Sequence, residues 1–581
     1  MGESLAAAVL GVVLHANYRH SEPELLGFLL HSLILGICAT VAHLFTLDSE
    51  EDTTKFGTVA FAARFLAVYL VSMSASVLTY RLSPFHPLAA FPGPKSAAAS
   101  KWWSFYQVAV RGQRHIDLQR RYGTWVRTGP NELSIDDPDA IRAVYEGLDR
   151  AAFYKAMPAR GDAVINIMDR QTHQKRRRAW NSAFTSPCLE DYASATNACD
   201  NSCYIQSNTM LMFFPQQRLL HLLARVADEI RRSPTGVIQI DRWIYLTALD
   251  LTGDIGFLGG FETVREGYDK EGWTTLLTTM IRVGVCAGEV LWVRNLMEKF
   301  GHGSLENIRK PTAIKLGRIG ENQETTARTS IMSKVLSKSD EDSLKLRTED
   351  AVSDAMFTII AAVGTTSFVI QNLLYYLSLS PLRMRRIQEE VDPLFETAIV
   401  DEYGSTLDVA KLMKLPYLSA CVDEVLRLMP PLAWGPPRTT GPQGAMICGR
   451  FVPPNTTINV PIYAMHRDVR NFGPLAEKFI PERWLPSHLQ AEAIQALNDP
   501  QLEPSALQPL NQQAYIPFSA GYGRCPGRGL GLQNAKIAVA TILHNYSLAP
   551  EEGFDPAAYE ASFRDNGVWN RDALKLRFSP R

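Results

Sequence analysis

The sequence predicts a mostly helical domain with small β-sheets, an α+β fold, preceded by apolar helices at the amino end. Helical periodicity dominates residues 216–427, while strand-like segments such as residues 449–460 come late in the chain. Residues 25–47 contain no Lys, Arg, Asp or Glu and are long enough to cross a hydrocarbon core of about 30 Å. Of the 581 residues 46% are hydrophobic, so the chain can bury a large core and is not intrinsically disordered.

Charge and cysteine usage exclude several classes of protein. The 59 basic and 60 acidic residues leave a formal net charge of −1, so no overall basic field indicates a nucleic-acid partner. The 8 cysteines are scattered, which is not typical of a secreted disulfide scaffold and indicates a reducing compartment. The sequence also lacks the paired CxxC and HxxxH spacings of common zinc sites.

Three apolar segments make residues 1–83 a predicted membrane anchor with two or three helices. Residues 25–47 and 56–80 are each long enough to span a bilayer, although Arg64 lies inside the second of them. Residues 5–15 are shorter, and whether they span stays open; without a basic start or a cleavage site they do not resemble a removable signal peptide. An alternative is that the two longer segments are buried core helices.

The charges that flank the long segments predict the orientation of the anchor. The loop at residues 48–52 is acidic, whereas Arg81, Lys95 and Lys101 follow the last apolar segment. Because basic residues prefer the cytoplasmic side of a membrane, we expect the rest of the chain to face the cytosol.

A proline-rich hinge is predicted at residues 84–94 (PFHPLAAFPGP), since closely spaced prolines fix φ and cannot continue a helix. We expect it to be stiff and extended, and to hold one large domain at residues 95–581. Within that domain, residues 197–217 interrupt a helical pattern. The sequence leaves open whether this insertion is a flexible lid or an artefact of gene prediction.

The most informative segment is residues 518–527, FSAGYGRCPG, in which glycines surround Cys525 and a helical pattern begins directly afterwards. Glycines let the backbone approach a flat ligand closely. The partial positive charge of a helix N-terminus favours the thiolate form of a nearby cysteine. A thiolate held in this way is a suitable axial ligand for iron. A dinucleotide site is not indicated, because the spacing is GxGxxxG rather than GxGxxG.

This segment resembles the heme-binding signature F-x-x-G-x-x-x-C-x-G of the cytochrome P450 family. Phe518, Gly521, Cys525 and Gly527 match its four fixed positions. The resemblance implies the fold of that family for residues 95–581, a heme-thiolate catalytic domain, with heme b as cofactor and Cys525 as the axial ligand of its iron.

Two further motifs lie upstream of the cysteine. Glu424 and Arg427 are three residues apart, so they share a helix face and can pair, which in isolation is an ordinary surface feature. By resemblance to the family's E-x-x-R helix and P-E-R-W loop, Glu424, Arg427 and Arg483 form a structural cluster that supports the heme loop. Arg438 corresponds to a strand arginine that contacts a heme propionate in the family.

Residues 354–377 predict a helix that is apolar on nearly all sides and therefore buried. Hydroxyl groups in such a helix usually bond to the carbonyl four residues earlier, and that interpretation stays open for Thr365. The segment also resembles the family's (A/G)-G-x-(D/E)-T-(T/S) motif, which implies that Thr365 handles oxygen. Ala362 and Gly364 depart from the motif, because Gly and an acidic residue are usual there.

A basic helix contributes two more candidates. His173 and Arg177 stand at the family's W-x-x-x-R positions, with His in place of Trp, and by resemblance they pair with heme propionates. We expect the surplus arginines of this run, Arg176 and Arg178, to face an acidic redox partner.

The heme loop itself departs from the family at the residue two places before the cysteine. The usual propionate-binding arginine is replaced by Gly523, and Arg524 follows one residue late. Whether Arg524 reaches the same carboxylate stays open.

Taken by resemblance, the protein is a membrane-anchored heme-thiolate monooxygenase that uses O2 and electrons from a separate NADPH-cytochrome reductase. Its substrate is expected to be a lipophilic small molecule that it hydroxylates or epoxidises. Three hydrophobic segments resemble filamentous-fungal members that tailor terpenoids or other secondary metabolites. The expected location is the endoplasmic reticulum membrane. The alternatives are a heme-thiolate isomerase or dehydratase that does not use O2, and a non-catalytic membrane heme protein.

Overall fold

The computed structural model describes residues 2–18, 25–46, 55–112, 117–156, 161–194, 214–291, 293, 302–325, 329–341, 346–396, 399–401 and 404–581. The acidic loop at residues 48–52 and most of the predicted insertion, residues 197–213, lie outside the described residues. The described chain forms two compact units. The first comprises Met1–Ser104 and Trp125–Leu133, and the second comprises Phe105–Thr124 and Ser134–Arg581. This division differs from the predicted boundary after residue 94.

The first unit contains the three apolar segments as long helices. These are Gly2–Tyr18, Leu25–Thr46 and Lys55–Leu82, followed by the short helix Lys95–Ala99 and the strand Trp125–Gly129. Gly11 allows the first and third helices to pack closely, because a Cβ at this position would lie 2.7 Å from the carbonyl oxygen of Tyr69. A hydrogen bond of 2.7 Å between His15 Nδ1 and Ser76 Oγ joins the same two helices.

Two helices of the described residues are long and apolar enough to cross a membrane by length and composition. Thr58–Leu82 is almost entirely exposed, whereas Thr348–Ser378 is largely buried. Because a core helix of a soluble domain passes the same test, length and apolarity alone do not establish a span. The helix Leu25–Thr46 contains a shorter apolar stretch, Phe28–Val41.

The first part of the proline-rich segment, residues 83–91, consists of consecutive turns. The His86 amide donates to the Ser83 carbonyl at 3.3 Å, and the Ala89 amide donates to the His86 carbonyl at 2.8 Å. Pro84 and Pro87 therefore each occupy the second position of a turn, where the fixed φ of proline is favourable. The spacing of three between these prolines produces successive turns rather than an extended chain.

The second unit is mostly helical. Its α-helices of five or more residues are Leu118–Tyr122, Arg170–Ser182, Ser186–Ser194, Phe214–Arg232, Ile240–Phe257, Trp273–Glu289, His302–Thr325, Ile331–Glu341, Thr348–Ser378, Pro381–Glu396, Pro416–Leu428, Ile462–His466, Ser487–Leu497, Arg528–Asn545 and Pro556–Ala561, with Trp102–Tyr106 at the junction of the two units. The remaining helical segments are π-helical or 3-10 turns, or α-helices of three or four residues: Gln107–Arg111, Ala140–Arg142, Ala143–Gly147, Ala152–Ala156, Thr263–Glu266, Val409–Leu412, Val469–Phe472, Pro481–Trp484, Pro504–Leu507, Gln512–Ala514 and Gly521–Gly523.

The strands of the second unit are short. Arg438–Thr439 pairs antiparallel with both Thr457–Asn459 and Asp149–Arg150. Lys575–Pro580 lies between Tyr546–Pro550 and Val237–Gln239, again with antiparallel pairing. Three two-stranded hairpins complete the set: Ile399–Asp401 with Gly404–Thr406, Ala445–Ile447 with Arg450–Val452, and Arg564–Asp565 with Trp569–Asn570. Glu132–Ile135 is one further strand. The predictions of late strands and of predominantly helical structure in residues 216–427 are both confirmed, and three short strands also lie within that range.

The long helix Thr348–Ser378 connects two hydrophobic clusters of the second unit. Its first half packs with the helices Ile240–Phe257 and Trp273–Glu289. Its second half packs with Pro416–Leu428 and Arg528–Asn545. A helix that is apolar on all sides is stable only when neighbours cover it, which is the arrangement that its sequence predicts.

Candidate active site

The Cys525 loop, residues 518–527, is a tight loop closed at the start of the helix Arg528–Asn545. The Cys525 amide donates to the Phe518 carbonyl at 2.9 Å, which brings the first predicted residue of the signature next to the cysteine. Gly521 has φ of 65°, and a Cβ there would lie 2.2 Å from the Tyr145 carbonyl oxygen. Glycine is therefore required at this position both for its conformation and for the close approach of the Tyr145 backbone.

The thiol of Cys525 is accessible by surface area and yet surrounded by protein atoms. Burial raises the pKa of this thiol, while a hydrogen bond from the Gly527 amide and the charge of Arg177 act in the opposite direction. A side chain that is both accessible and desolvated faces a cavity within the protein rather than its outer surface. In this balance desolvation outweighs the Gly527 amide and Arg177, so the net effect on the pKa of the Cys525 thiol is upward.

A group of arginines lies beside the Cys525 loop. Arg150 and Arg438 are directly opposite each other on the paired strands Asp149–Arg150 and Arg438–Thr439. Their side chains therefore share one face, and both residues are buried, at 7% and 1% exposure. Like charges opposite each other on a sheet repel. Neither guanidinium group forms an ion pair with a carboxylate in the described part of the chain.

Both arginines keep a buried donor without a hydrogen-bond partner among the described residues, the Nε of each guanidinium group. Arg150 otherwise donates to backbone carbonyls, including those of Val164 and Ile165 at 3.1 and 2.6 Å. Arg438 lies 5.2 Å from the ring centroids of both Tyr145 and Tyr522. Two buried positive charges with unpartnered donors are complementary to an anionic ligand.

His173 joins this group through a hydrogen bond of 2.8 Å between its Nε2 and Arg150 Nη2. Burial and the charges of Arg150 and Arg177 lower the pKa of His173 to about 3, so the imidazole is neutral at physiological pH. Its Nδ1 is buried and has no partner in the described structure. The structure therefore places His173 beside Arg150 as a neutral polar group rather than as a cation.

Arg177 reaches the Cys525 loop directly. Its Nη2 donates to the backbone carbonyl of Arg524, and its Nε donates to Asn181 Oδ1 at 3.0 Å. Burial, together with the cations of Arg150 and Arg524, lowers the pKa of Arg177 to about 10 against the opposing effect of Cys525. The side chain of Arg524 itself is exposed.

Gly523 leaves room for Arg438. A Cβ at residue 523 would lie 2.5 Å from Arg438 Nη2. Arg438 therefore occupies the space in which a larger side chain at residue 523 would begin. A larger side chain at residue 523 would therefore require the Arg438 guanidinium group to move from its position in this chain.

Arg176 is not available to a redox partner, so this part of the prediction is wrong. Its side chain is buried and forms an ion pair with Asp354 at 2.7 Å, and its Nη2 also donates to the carbonyl of Asp162. Trp180 Nε1 donates to the same Asp354 carboxylate at 3.3 Å. Arg178 is exposed, as predicted. Helical spacing explains the difference, because Arg176 and Trp180 are four residues apart and share the buried face.

Glu424, Arg427 and Arg483 form one buried ion cluster. The Glu424 carboxylate accepts from Arg427 at 2.7 and 2.8 Å and from Arg483 Nε at 3.1 Å. It also accepts from the Ile480 amide and from Trp484 Nε1. Burial alone would raise the pKa of Glu424, but the two arginines lower it to about 2. The side chains of all three charged residues are completely inaccessible to solvent.

Beyond its exposed first two residues, the long helix Thr348–Ser378 is accessible only near its centre. Between Asp350 and Ser378 the residues that are not buried are Phe357, Ile360, Ala361, Ala362, Gly364, Thr365 and Thr366. Spacings of three, four, seven and eight place most of these on one helix face. A Cβ added at Gly364 would find no atom within 4 Å. A mid-helix window between two buried halves indicates that this face borders a cavity.

Thr365 lies in this window, and its hydroxyl donates to the Ala361 carbonyl at 2.7 Å. This is the bond to the fourth preceding residue that buried helix hydroxyls usually form. Ser367 is bonded in the same way to Val363, also at 2.7 Å.

Aromatic side chains connect the window with the Cys525 loop. A Cβ at Gly527 would lie 3.7 Å from the Phe184 ring. Phe184 stacks on Trp180 with ring centroids 6.4 Å apart, and Trp180 meets Phe357 edge to face at 6.3 Å. The basic helix Arg170–Ser182, the cysteine loop and the long helix therefore converge on one region.

A family model described as Cytochrome P450 matches residues 216–568, more than half of the chain. The chain belongs to the cytochrome P450 family. It is similar to cytochrome P450 67 of Uromyces fabae, at 28% identity over 85% of this chain and 86% of the relative. It is also similar to the cytochrome P450 monooxygenases phqL of Penicillium fellutanum (28% identity, 88% and 83% covered) and lcsK of Purpureocillium lilacinum (28% identity, 100% and 98% covered). This cytochrome P450 is accordingly an oxidoreductase of the monooxygenase class.

The residues present fit the heme that the family uses. Cys525 supplies a sulfur ligand that faces a cavity, and Gly521 and Gly527 keep the loop free of side chains. The two propionates of heme would place negative charge beside Arg150 and Arg438, whose Nε donors lack partners in the described structure. The donor set and its charge therefore match a thiolate-ligated heme.

Sequence reasoning missed Arg150, Tyr522 and Tyr154 of this site, the last of which accepts a hydrogen bond from Arg438 Nη1 at 3.3 Å. Tyr522 lies inside the Cys525 loop, and its ring contacts His173 as well as Arg170 and Arg438. Its position three residues before the cysteine was a usable signal. Arg150 belongs to no motif, and only its pairing opposite Arg438 reveals its role.

Proposed function

We propose that this cytochrome P450 is a membrane-anchored monooxygenase that hydroxylates or epoxidises a lipophilic small molecule. We propose further that the substrate belongs to secondary metabolism and is terpenoid-like. The electrons would come from NADPH, which a separate NADPH-cytochrome reductase would oxidise. Heme b bound through Cys525 would supply the activation of O2, since thiolate ligation favours cleavage of the O–O bond.

The observation that carries the substrate proposal is the accessible window of the long helix. Five of its members, Phe357, Ile360, Ala361, Ala362 and Gly364, are apolar or lack a side chain. A surface of this composition binds an apolar ligand by burying its area and offers no charge to an ionic one. The fungal origin of the three relatives supports the assignment to fungal secondary metabolism.

Each candidate residue has a separate task in this proposal. Arg438, Arg150 and Arg177 would hold the heme carboxylates, with neutral His173 as an additional hydrogen-bonding group. Thr365 would hold and transfer a proton at Oγ1 after releasing the Ala361 carbonyl. Glu424, Arg427 and Arg483 would keep the chain around residues 476–484 in place, because Arg427 donates to the carbonyls of His466 and Ala476.

The anchor proposal places the first unit in the endoplasmic reticulum membrane, with the catalytic domain facing the cytosol. It is supported by the exposed apolar helix Thr58–Leu82 and by the apolar stretch Phe28–Val41. The full chain should resist extraction from membranes by alkaline carbonate. A protein that lacks residues 1–80 should be extracted and should still bind heme. The deletion keeps the hydrogen bond of 3.0 Å from Arg127 to the Arg81 carbonyl. A truncated protein as firmly integral as the full chain would contradict the anchor.

The function is tested by supplying the purified protein with NADPH-cytochrome reductase, NADPH and ¹⁸O-labelled O2 in the presence of a fungal metabolite extract. A monooxygenase should yield a product that carries one labelled oxygen atom and that disappears when the reductase is omitted. A reaction that needs neither reductase nor O2 would refute the proposal.

A second candidate function, isomerisation or dehydration without O2, is favoured by one observation. Gly364 stands where the family usually has an acid, and Thr365 is bonded within its own helix, so no carboxylate feeds protons to this hydroxyl from its own motif. Turnover of organic peroxides in the absence of reductase would support this candidate and exclude the first.

A further inference from the structure

Outside the heme site, Cys188 makes close contact with an amine. The residue is buried at 4% exposure near the start of the helix Ser186–Ser194. Its sulfur accepts hydrogen bonds from Lys334 Nζ and from Thr185 Oγ1, both at 3.0 Å. The thiol in turn lies 3.4 Å from the Ser182 carbonyl.

These contacts distinguish Cys188 from two other cysteines of the described chain, Cys421 and Cys448. Cys421 is buried in the core, where desolvation and the nearby Glu482 raise the pKa of its thiol well above the usual value. Cys448 is exposed, but desolvation and the carboxylates of Asp137 and Asp139 raise the pKa of its thiol to about 11. Among these three cysteines, Cys188 is the one whose sulfur contacts a side-chain amine.

We propose that Cys188 and Lys334 are the two halves of an oxidation-dependent covalent cross-link. Hydrogen peroxide first converts the Cys188 thiol to a sulfenic acid and is itself reduced to water. The nitrogen lone pair of Lys334 then attacks the sulfur and forms an S–N bond. The sulfenic hydroxyl leaves as water together with one amine proton, and the second ammonium proton passes to solvent. The thiol is oxidised by two electrons, and one peroxide yields two waters in total.

The position of this pair relates it to the heme loop. The backbone carbonyl of Leu189, the residue after Cys188, accepts a hydrogen bond from Gln533 Nε2 at 3.3 Å. A Cβ added at Gly529 would lie 2.6 Å from the Leu189 side chain. Both contacts are with the helix that begins directly after Cys525. The cross-link would therefore join the helix Ile331–Glu341 to an element that packs on the heme-loop helix, and it should raise the midpoint temperature of heme loss.

The test treats the purified full-length holoprotein with one equivalent of hydrogen peroxide and then digests it for mass spectrometry. The wild type should give a joined pair of peptides containing Cys188 and Lys334, lighter than the two separate peptides by two hydrogen atoms. Excess dithiothreitol should separate them again, because thiols reduce S–N bonds. Peptides that contain Cys421 and Cys448 serve as internal controls and should stay unlinked.

Two matched variants make the test decisive. Lys334→Arg keeps the positive charge without the nucleophilic amine, so the joined pair should vanish and dimedone should instead label the Cys188 sulfenic acid. Cys188→Ser should lose both products while keeping the heme spectrum. The proposal is overturned if wild type and Lys334→Arg trap equal amounts of dimedone on Cys188, or if Cys188 is linked to a different lysine. The added peroxide makes this outcome independent of the proposed substrate and reductase.

Discussion

Neutralising Glu424 should destabilise the holoprotein more than any comparable change at an exposed ion pair. Glu424→Gln keeps the shape of the side chain but removes the charge that Arg427 and Arg483 share. Both arginines are completely inaccessible to solvent, so the substitution leaves two buried cations without their counter-ion. The variant also weakens the acceptor for the Ile480 amide and Trp484 Nε1.

The size of the effect follows from the pKa of Glu424. The two arginines hold it at about 2, against an ordinary 4.5, which corresponds to about 3 kcal/mol of stability at neutral pH. Removing one partner of a buried ion pair costs about 3–5 kcal/mol in general, a large part of the roughly 5–15 kcal/mol of a whole domain. We therefore expect a low yield of holoprotein and a clearly lower urea midpoint for heme loss. Heme loss is measured as the decrease of the carbon monoxide difference band.

A matched control is Glu492→Gln, which breaks the exposed pair of Glu492 and Arg386 at 3.3 Å. This change should cost less than about 1 kcal/mol. The pH dependence gives a second check. Because the folded pKa of Glu424 lies below its unfolded value, its stabilisation is complete above about pH 4.5 and is lost as the pH falls toward 2. Equal urea midpoints for Glu424→Gln and Glu492→Gln would refute the reasoning. So would a difference in midpoint between wild type and Glu424→Gln that is as large at pH 3 as at neutral pH.

Three further predictions concern the heme site itself. Cys525→Ala should abolish the red-shifted carbon monoxide band, and an unchanged spectrum would show that another residue binds the iron. Gly523→Ala should speed heme transfer to apomyoglobin several-fold, because the new Cβ would lie 2.5 Å from buried Arg438 Nη2. In an Arg438→Ala background the same change should have little effect, whereas additive effects would disprove the contact. Thr365→Ala should keep the heme spectrum and NADPH consumption while product per electron falls, since general acid–base assistance is worth about 10²–10⁴-fold. Gly364→Asp should leave the product formed per electron unchanged or increased, because the new side chain enters open space. If Thr365→Ala formed as much product per electron as the wild type, Thr365 would be only a core residue bonded to its own helix.

The parts of the site that the sequence predicts are those that depend on local spacing. Phe518, Gly521, Cys525 and Gly527 lie within one loop, and their geometry follows from turns and glycines close along the chain. Glu424 and Arg427 are three residues apart on a helix, so their pairing needs no knowledge of the tertiary fold. The buried character of the long helix follows equally from its uninterrupted apolar composition.

The parts that the sequence could not predict depend on contacts between distant segments. Arg150 and Arg438 meet only through the register of two strands. Arg176 was interpreted as part of an exposed basic run, because its partner Asp354 is separated from it by 178 residues. Charge runs show which side chains are ionised, but the face of the helix that becomes buried depends on what packs against it.

The close approach of Arg438 to Gly523 shows why a departure from a family motif has to be judged in three dimensions. Taken alone, the missing arginine at residue 523 suggests weaker binding of the heme carboxylates. In the structure the guanidinium group of Arg438 fills the space beside Gly523, and Arg150 lies directly opposite it on the neighbouring strand. Two buried cations side by side repel each other, so an anion between or beside them would stabilise this arrangement. The positive charge is thus supplied by a pair of strands rather than by the loop, and the stability of this region is linked to the ligand that neutralises it.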